Sequence, residues 1–332
     1  MKIDVYSHIL PMKYKEALYK LAPSDFYSKD VVETKPTLYD LEHRFRIMDK
    51  FEGLMQILTL SAPPVEMISD PGNAGNLAKL ANDEMAELVL KYPDRFAAAV
   101  ASLPLNDMEA SLKEVDRAIN DLKFRGVQIS TPINGKPLDS AEFLPLYEKM
   151  SQYNLPIWIH PVRDADHSDY ITEKRSEYMI FHVFGWPYET AAAMTRLVFS
   201  GILEKYANLK IITHHCGSMI PYLEQRIIGA YDHAEMLRGA KYKQGLTKSP
   251  IDYFRMFYND TAIYGSTPGL MCAYAFCGAE HLLFGTDFPF DNQFGERYIR
   301  QTIESIDQMD ISDQEKKMIF ENNARKLLRL PI

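Results

Sequence analysis

The chain has 332 residues, 46% hydrophobic and 25% charged, an ordinary globular composition with length enough to bury a large core unaided. Its formal net charge of -8 lacks the basic surplus that nucleic acid or an anionic membrane surface selects, so neither is expected as a partner. No apolar run approaches the roughly 20 residues of a membrane span. The opening MKIDVYSHILP carries Asp4 and no apolar stretch, so it does not read as a secretion signal. Cys216, Cys272 and Cys277 show no CxxC spacing and cannot all pair internally, which suits a reduced, cytoplasmic setting.

In chain order, short apolar runs rich in β-branched residues alternate with segments of helical period. A first strand over Lys2–His8 leads into a long aromatic loop, Pro11–Thr37, with Tyr14, Tyr19, Phe26 and Tyr27. Long barrel loops are usually functional. A second strand, Leu54–Ser61, precedes a helix over Asn76–Lys91 whose Leu77, Leu80, Ala81, Met85 and Leu88 form one stripe. The third strand, Phe96–Leu105, is followed by a helix over Asp107–Asp121, with Asp107 as N-cap and Glu109 in its first turn. Strands four and five are Gly126–Ser130 and Ile157–Pro161, and the polar stretch Arg163–Phe181 reads as a flap over the barrel mouth. A helix over Glu189–Tyr206, a strand over Leu209–His215 and a helix over Met219–Arg238 come next. Strands at Phe257–Thr261 and Leu282–Asp287 and helices at Gly295–Gln308 and Ser312–Leu327 complete the pattern, and Ser312 with Glu315 has the capping-box spacing.

Eight strand–helix units predict a parallel sheet closed into a (β/α)8 TIM barrel, an α/β fold, as one domain over 1–332 with a loop insertion after the first strand. A doubly wound sheet fits less well, because no GxGxxG follows any strand.

In such a barrel, chemistry sits at the carboxyl ends of the strands. His8 ends the first strand, His160 the fifth, His214 and His215 the sixth, and Asp287 the eighth. One histidine at a strand end is more often a hydrogen-bonded structural residue, and Asp287 alone fits a helix N-cap. Four of nine histidines at strand ends point instead to a shared site. His214 and His215 are adjacent, so strand alternation lets only one face the barrel axis. Neutral imidazole and carboxylate are ligands for zinc, manganese and related divalent ions, and a catalytic site keeps one position open.

The segments MKIDVYSHILP, IWIHP, HVFGWPYETAAAMTRLVFSGILEKYANLKIITHHCGSMIP and FGTDFP resemble the amidohydrolase superfamily, and the resemblance runs the length of the chain. The branch it resembles is that of aminocarboxymuconate-semialdehyde decarboxylase, which also holds γ-resorcylate and 5-carboxyvanillate decarboxylases. The resemblance implies that His8 is the second residue of a metal-binding HxH pair, whose first place here holds Tyr6. A phenol is a poor ligand until it loses a proton near pH 10. A bound dication could strip that proton, or Tyr6 hydrogen-bonds substrate instead. The resemblance further makes His160 and Asp287 metal ligands and His215, in HCGS, the catalytic histidine, which turns His214 outward. Arg44, in RFRIMD, and Trp186, in FGWPYE, become substrate-binding residues. Read from the residues alone, Arg44 also fits a helix surface near Arg46, where only one of the two faces the site, and Trp186 also fits a core or loop anchor.

The activity so implied is non-oxidative decarboxylation of a small aromatic or muconate-like carboxylic acid with one divalent ion, zinc or manganese. His215 or Asp287 delivers the proton to the carbon that loses CO2, and Arg44 pairs with a substrate carboxylate. Two alternatives stand beside it. One is a hydrolase or hydratase opening a lactone, amide or ester. The other is a metal-free barrel that binds a ligand or works without an ion, because of Tyr6. A homodimer or larger homo-oligomer is implied as well, with the aromatic Tyr253–Tyr264 stretch as either interface or core.

Overall fold

The computed structural model describes residues 1–26, 28–239 and 241–332. The strands are β1 (Lys2–Ile9), β2 (Leu54–Leu60), β3 (Phe96–Ala99), β4 (Val127–Thr131), β5 (Pro156–Pro161), β6 (Lys210–Thr213), β7 (Tyr258–Asp260) and β8 (Leu282–Leu283). All sequential neighbours within the two sheets, β1-β2-β3 and β4-β5-β6-β7-β8, pair in parallel. A bridge between Ala101 and Val127 joins the sheets on one side and a bridge between Ser7 and Phe288 on the other, closing a (β/α)8 barrel. The second seam is reinforced by Asp4, whose carboxylate accepts from Thr286 Oγ1 at 2.6 Å and from the Thr286 amide at 3.1 Å.

Alternation along the strands sorts the side chains. Ile3, Val5, Ile57, Ala98, Val100, Trp158, Ile212 and Leu283 fill the barrel interior, and Ala324, Leu327, Leu328 and Leu330 of the C-terminal segment cover its floor. A larger apolar layer lies between the barrel and the surrounding helices. The Tyr253–Tyr264 stretch begins in that layer: Tyr253, Phe254 and Phe257 are buried there, so this part of it is core.

Helix ends follow the cap chemistry. Asp107 accepts from the Ala110 amide at 3.0 Å, and Ser312 with Glu315 forms the reciprocal capping box. Elsewhere the chain departs from its periodicity. The helix expected at Glu189–Tyr206 runs Trp186–Phe199, and Gly201, at φ 77°, turns the chain into a separate short helix, Ile202–Lys205. The helix expected over Ser312–Leu327 is interrupted by a π-helical turn at Met318–Asn322. The expected loop Pro11–Thr37 contains helices Met12–Leu21 and Lys29–Thr34. Pro11 offers no side-chain cap, and Glu84, reaching from the helix Pro71–Lys91, accepts from the Tyr14 and Lys13 amides instead. Tyr14 and Phe26 are buried, Tyr19 is partly exposed, and Tyr27 lies outside the described residues. No helix among the described residues is long and apolar enough to cross a membrane.

Candidate active site

The barrel interior decides which histidines face the axis. Trp158 and Ile212 point inward, and two residues further along each strand His160 and His214 do the same. His214 is therefore turned into the barrel, against the expectation that it packs outward. His215 joins it because β6 has ended at Thr213: at φ 58° the chain is left-handed and strand alternation no longer applies. The two imidazole centroids lie 3.8 Å apart. Asp287 has the same conformation, φ 60°, beyond β8. Such backbone in non-glycine residues costs of order 1–3 kcal/mol, persists where surroundings enforce it, and clusters at functional sites.

The structure thus brings His8, His160, His214, His215 and Asp287 together, all nearly inaccessible to solvent. Three of the imidazoles are held from behind. His8 Nδ1 meets Thr59 Oγ1 at 3.3 Å, His160 Nδ1 meets the Pro161 carbonyl at 2.8 Å, and His214 Nδ1 is bonded to Asp260. Each Nε2 is left for the site, and the ligand atoms of His8, His160 and His214 all lie within 4.8 Å of one another. Asp287 Oδ1 stands 3.4 Å from His8 Nε2 and 3.3 Å from His214 Nε2, near enough for charge attraction but without the direction of hydrogen bonds. Its Oδ2 accepts from the Tyr264 hydroxyl at 2.9 Å and lies 3.8 Å from His215 Nε2.

The electrostatics separate these groups. Burial, then the neighbouring histidines, hold His160 well below the usual imidazole range. Burial lowers His8 and His215 as well. Burial opposes protonation of His214 too, but Asp260 and Asp287 outweigh it and push the group up to about 9. Burial alone would raise Asp287, yet the charge of His214 and the imidazoles of His215 and His8 beside it keep its carboxyl well below the usual range. A carboxylate among mostly neutral imidazoles is the donor set for a divalent cation. The fit is supported by His8 Nε2 and His214 Nε2, which are buried with no hydrogen-bond partner among the described residues. Leaving such atoms unpaired costs about 1–3 kcal/mol each, and ligation would satisfy both.

Tyr6 is fully buried, its ring stacked on His214 at 3.8 Å and 15°, and its hydroxyl has no partner among the described residues. Burial, with Asp260 and Asp287 nearby, pushes the phenol well above its ordinary range.

Above these groups opens a cavity of about 460 Å³. His160, Asp287, Trp186, Phe290, Tyr264 and Tyr298 line it, together with Lys35, Asp164, Arg175, Met179 and His182. The stretch expected to be a flap, Arg163–Phe181, supplies several of those walls. Trp186 lines the cavity: Nε1 donates to the Arg163 carbonyl at 3.1 Å, and its ring stands edge-on to His160 at 5.4 Å.

Arg44 is not brought to this cavity. Its side chain is fully buried, Nε donates to Gln56 Oε1 at 2.8 Å, Nη1 to the His8 carbonyl at 2.7 Å and Nη2 to Ser7 Oγ at 2.6 Å, and the guanidinium lies over Phe288. With every nitrogen engaged in the barrel wall, the expected role of pairing with a substrate carboxylate is corrected to a structural one. Sequence reasoning also missed Asp260, Tyr264 and His182. Asp260 was findable, because it falls at the end of the expected strand Phe257–Thr261; Tyr264 lies in a turn and His182 in the π-helical turn Phe181–Gly185, where no strand periodicity marks direction.

The chain belongs to the amidohydrolase family, whose model matches residues 3–330. Among curated relatives it is similar to the γ-resorcylate decarboxylase of Polaromonas sp. strain JS666, 33% identical over 314 residues and covering 91% of each chain. The 2-amino-3-carboxymuconate-6-semialdehyde decarboxylase of Dictyostelium discoideum is 26% identical over 345 residues, covering 99% of this chain and 92% of the relative. Among solved structures, the dihydroxybenzoic acid decarboxylase of Polaromonas sp. JS666, with bound manganese and the inhibitor 2-nitroresorcinol, superposes with a TM-score of 0.82. It shares 30% identity and covers 99% of this chain and 96% of that one.

Proposed function

We propose that this protein is a metal-dependent, non-oxidative decarboxylase of a small aromatic carboxylic acid, built as one barrel domain. The observation that carries the reading is the buried cluster of His8, His160, His215 and Asp287, of which His160 and Asp287 line an aromatic-walled cavity of about 460 Å³, a size suited to a single-ring acid. His8, His160 and Asp287 would hold the divalent ion, zinc or manganese, which supplies Lewis acidity and a template for the substrate's oxygens. Trp186, Phe290 and Tyr264 give flat apolar faces for the ring.

The bond from the ring carbon to the carboxylate carbon breaks, CO2 leaves, and the electron pair stays on the ring carbon. His215 gives that carbon a proton. Its Nε2 stands near Asp287, and its Nδ1 has no partner among the described residues. Burial leaves the resting imidazole neutral, but an anionic substrate beside it favours the protonated form. Asp287, held ionised, is better suited to orient His215 and bind a cation than to act as the acid. Tyr264, donating to Asp287, fixes that carboxylate. A cytoplasmic setting and a homo-oligomer belong to the same reading. Three free cysteines support the first, and the exposed apolar side chains Val183, Phe184, Tyr188 and Tyr222 support the second.

The test is CO2 release from γ-resorcylate and related hydroxybenzoates by protein stripped with a chelator and then reloaded with manganese or zinc. Turnover should need the ion, and His215→Ala should lower kcat by roughly 10² to 10⁴ while leaving folding and metal content unchanged. Full activity in that variant removes His215 as the acid. Ring opening without CO2 release would replace the decarboxylase with a hydrolase.

A further inference from the structure

Tyr6 occupies the place beside His8 on β1, and the imidazole stacked against it comes from β6. We propose that His214 is the metal ligand that Tyr6 does not provide, so that the ion is held by His8, His160 and His214, with Asp287 alongside. This rests on the reading that the site takes up a divalent ion.

Three observations carry it. His214 points inward by strand parity with Ile212, at the level of His160, which follows Trp158 in the same way. Its Nδ1 is bonded to Asp260, which also accepts from the Cys216 and Ala262 amides at 2.9 and 3.0 Å and is therefore itself immobile. A carboxylate behind an imidazole fixes the tautomer and aims the opposite nitrogen, the arrangement that orients metal-binding histidines. His8 and His160 are oriented in the same manner by Thr59 Oγ1 and the Pro161 carbonyl. Finally, His214 Nε2 is buried and lacks a hydrogen-bond partner among the described residues, and His8, His160 and His214 each bring one ring nitrogen within 4.8 Å of the others. Imidazole is a common ligand of divalent ions, whereas a phenol is a poor one. Tyr6, flat against His214, then serves as the wall that fixes its ring plane.

The test reads the ion directly. Native protein stripped of metal and loaded with one equivalent of Cu(II) should show three coupled imidazoles by pulsed EPR. Tyr6→Phe should keep its manganese stoichiometry and affinity in titration calorimetry, and His214→Gln should bind manganese at least about tenfold more weakly. Two imidazoles in the native protein, loss of metal in Tyr6→Phe, or native affinity in His214→Gln would each overturn the assignment. Should His214→Gln fail to fold, the native spectrum and Tyr6→Phe still decide. Uptake of an ion with two imidazoles sinks only this inference, whereas no uptake of any divalent ion sinks the metal-dependent decarboxylase as well.

Discussion

Glu66 shows how one side chain can work against the fold that contains it. It sits just beyond β2, 6% exposed, and lines a small pocket together with Ser102, Gln128 and His160, and burial pushes its carboxyl up to about 7 from 4.5. The folded chain therefore holds this proton more tightly than the unfolded one. Its contribution is fully present below about pH 4.5 and is lost as pH rises through 7, a change of about 3 kcal/mol. Glu66→Gln should raise the melting temperature at pH 8 and leave it nearly unchanged at pH 5. Parallel melting curves for variant and native protein across that range would rule out Glu66 as the buried acid. Legibility at this scale was uneven. That His8, His160, His215 and Asp287 cluster was legible because each falls at or just beyond the carboxyl end of a strand. His214 was misjudged because alternation was carried on from it to His215, where the backbone turns left-handed and lets both rings enter the site.

Arg44 belongs to the scale of elements. It rises from the helix Leu41–Met48 and ties that helix to β1, through Ser7 and the His8 carbonyl, and to β2, through Gln56. Burial lowers its guanidinium to about 9, and the buried Asp4 partly offsets this. Removing one member of such a buried network usually costs about 3–5 kcal/mol. Arg44→Met should lower the denaturant midpoint accordingly, while the KM of the folded fraction for a carboxylated substrate stays as it was; a raised KM with native stability would return Arg44 to the site. A motif can mark a position in the chain without showing which way its side chain is committed. The elements themselves were legible where apolar period and cap coincide, as at Asp107 and Ser312. They were less so at strand ends: β3, β6 and β8 stop early, and beyond β6 and β8 the chain turns out of the ladder to present the site.

At the scale of the molecule, a chain of net charge -8 offers an anion two cations at the cavity wall, Lys35 and Arg175, each from a segment outside the barrel. Lys35 Nζ donates to the Asp291 carbonyl at 2.5 Å, which places it against the mouth, whereas Arg175 is mostly exposed. With Arg44 committed elsewhere, Lys35 is the better anchor for a carboxylate. Lys35→Met should raise KM on the order of tenfold with little change in kcat, as loss of one charge-assisted hydrogen bond would do. Steady-state kinetics at two salt concentrations decide it, and an unchanged KM removes Lys35. No periodicity announced this wall, because loop sequence does not encode pocket shape.

His8 stands on one lip of the β1–β8 junction and Asp287 on the other, with Asp4 and Thr286 fastened beneath them. Whatever those two side chains grip together also buckles the cylinder where its first and last staves meet. Substitutions there will register in unfolding as well as in turnover, so a dead variant at either position says little about chemistry until its folding has been weighed separately.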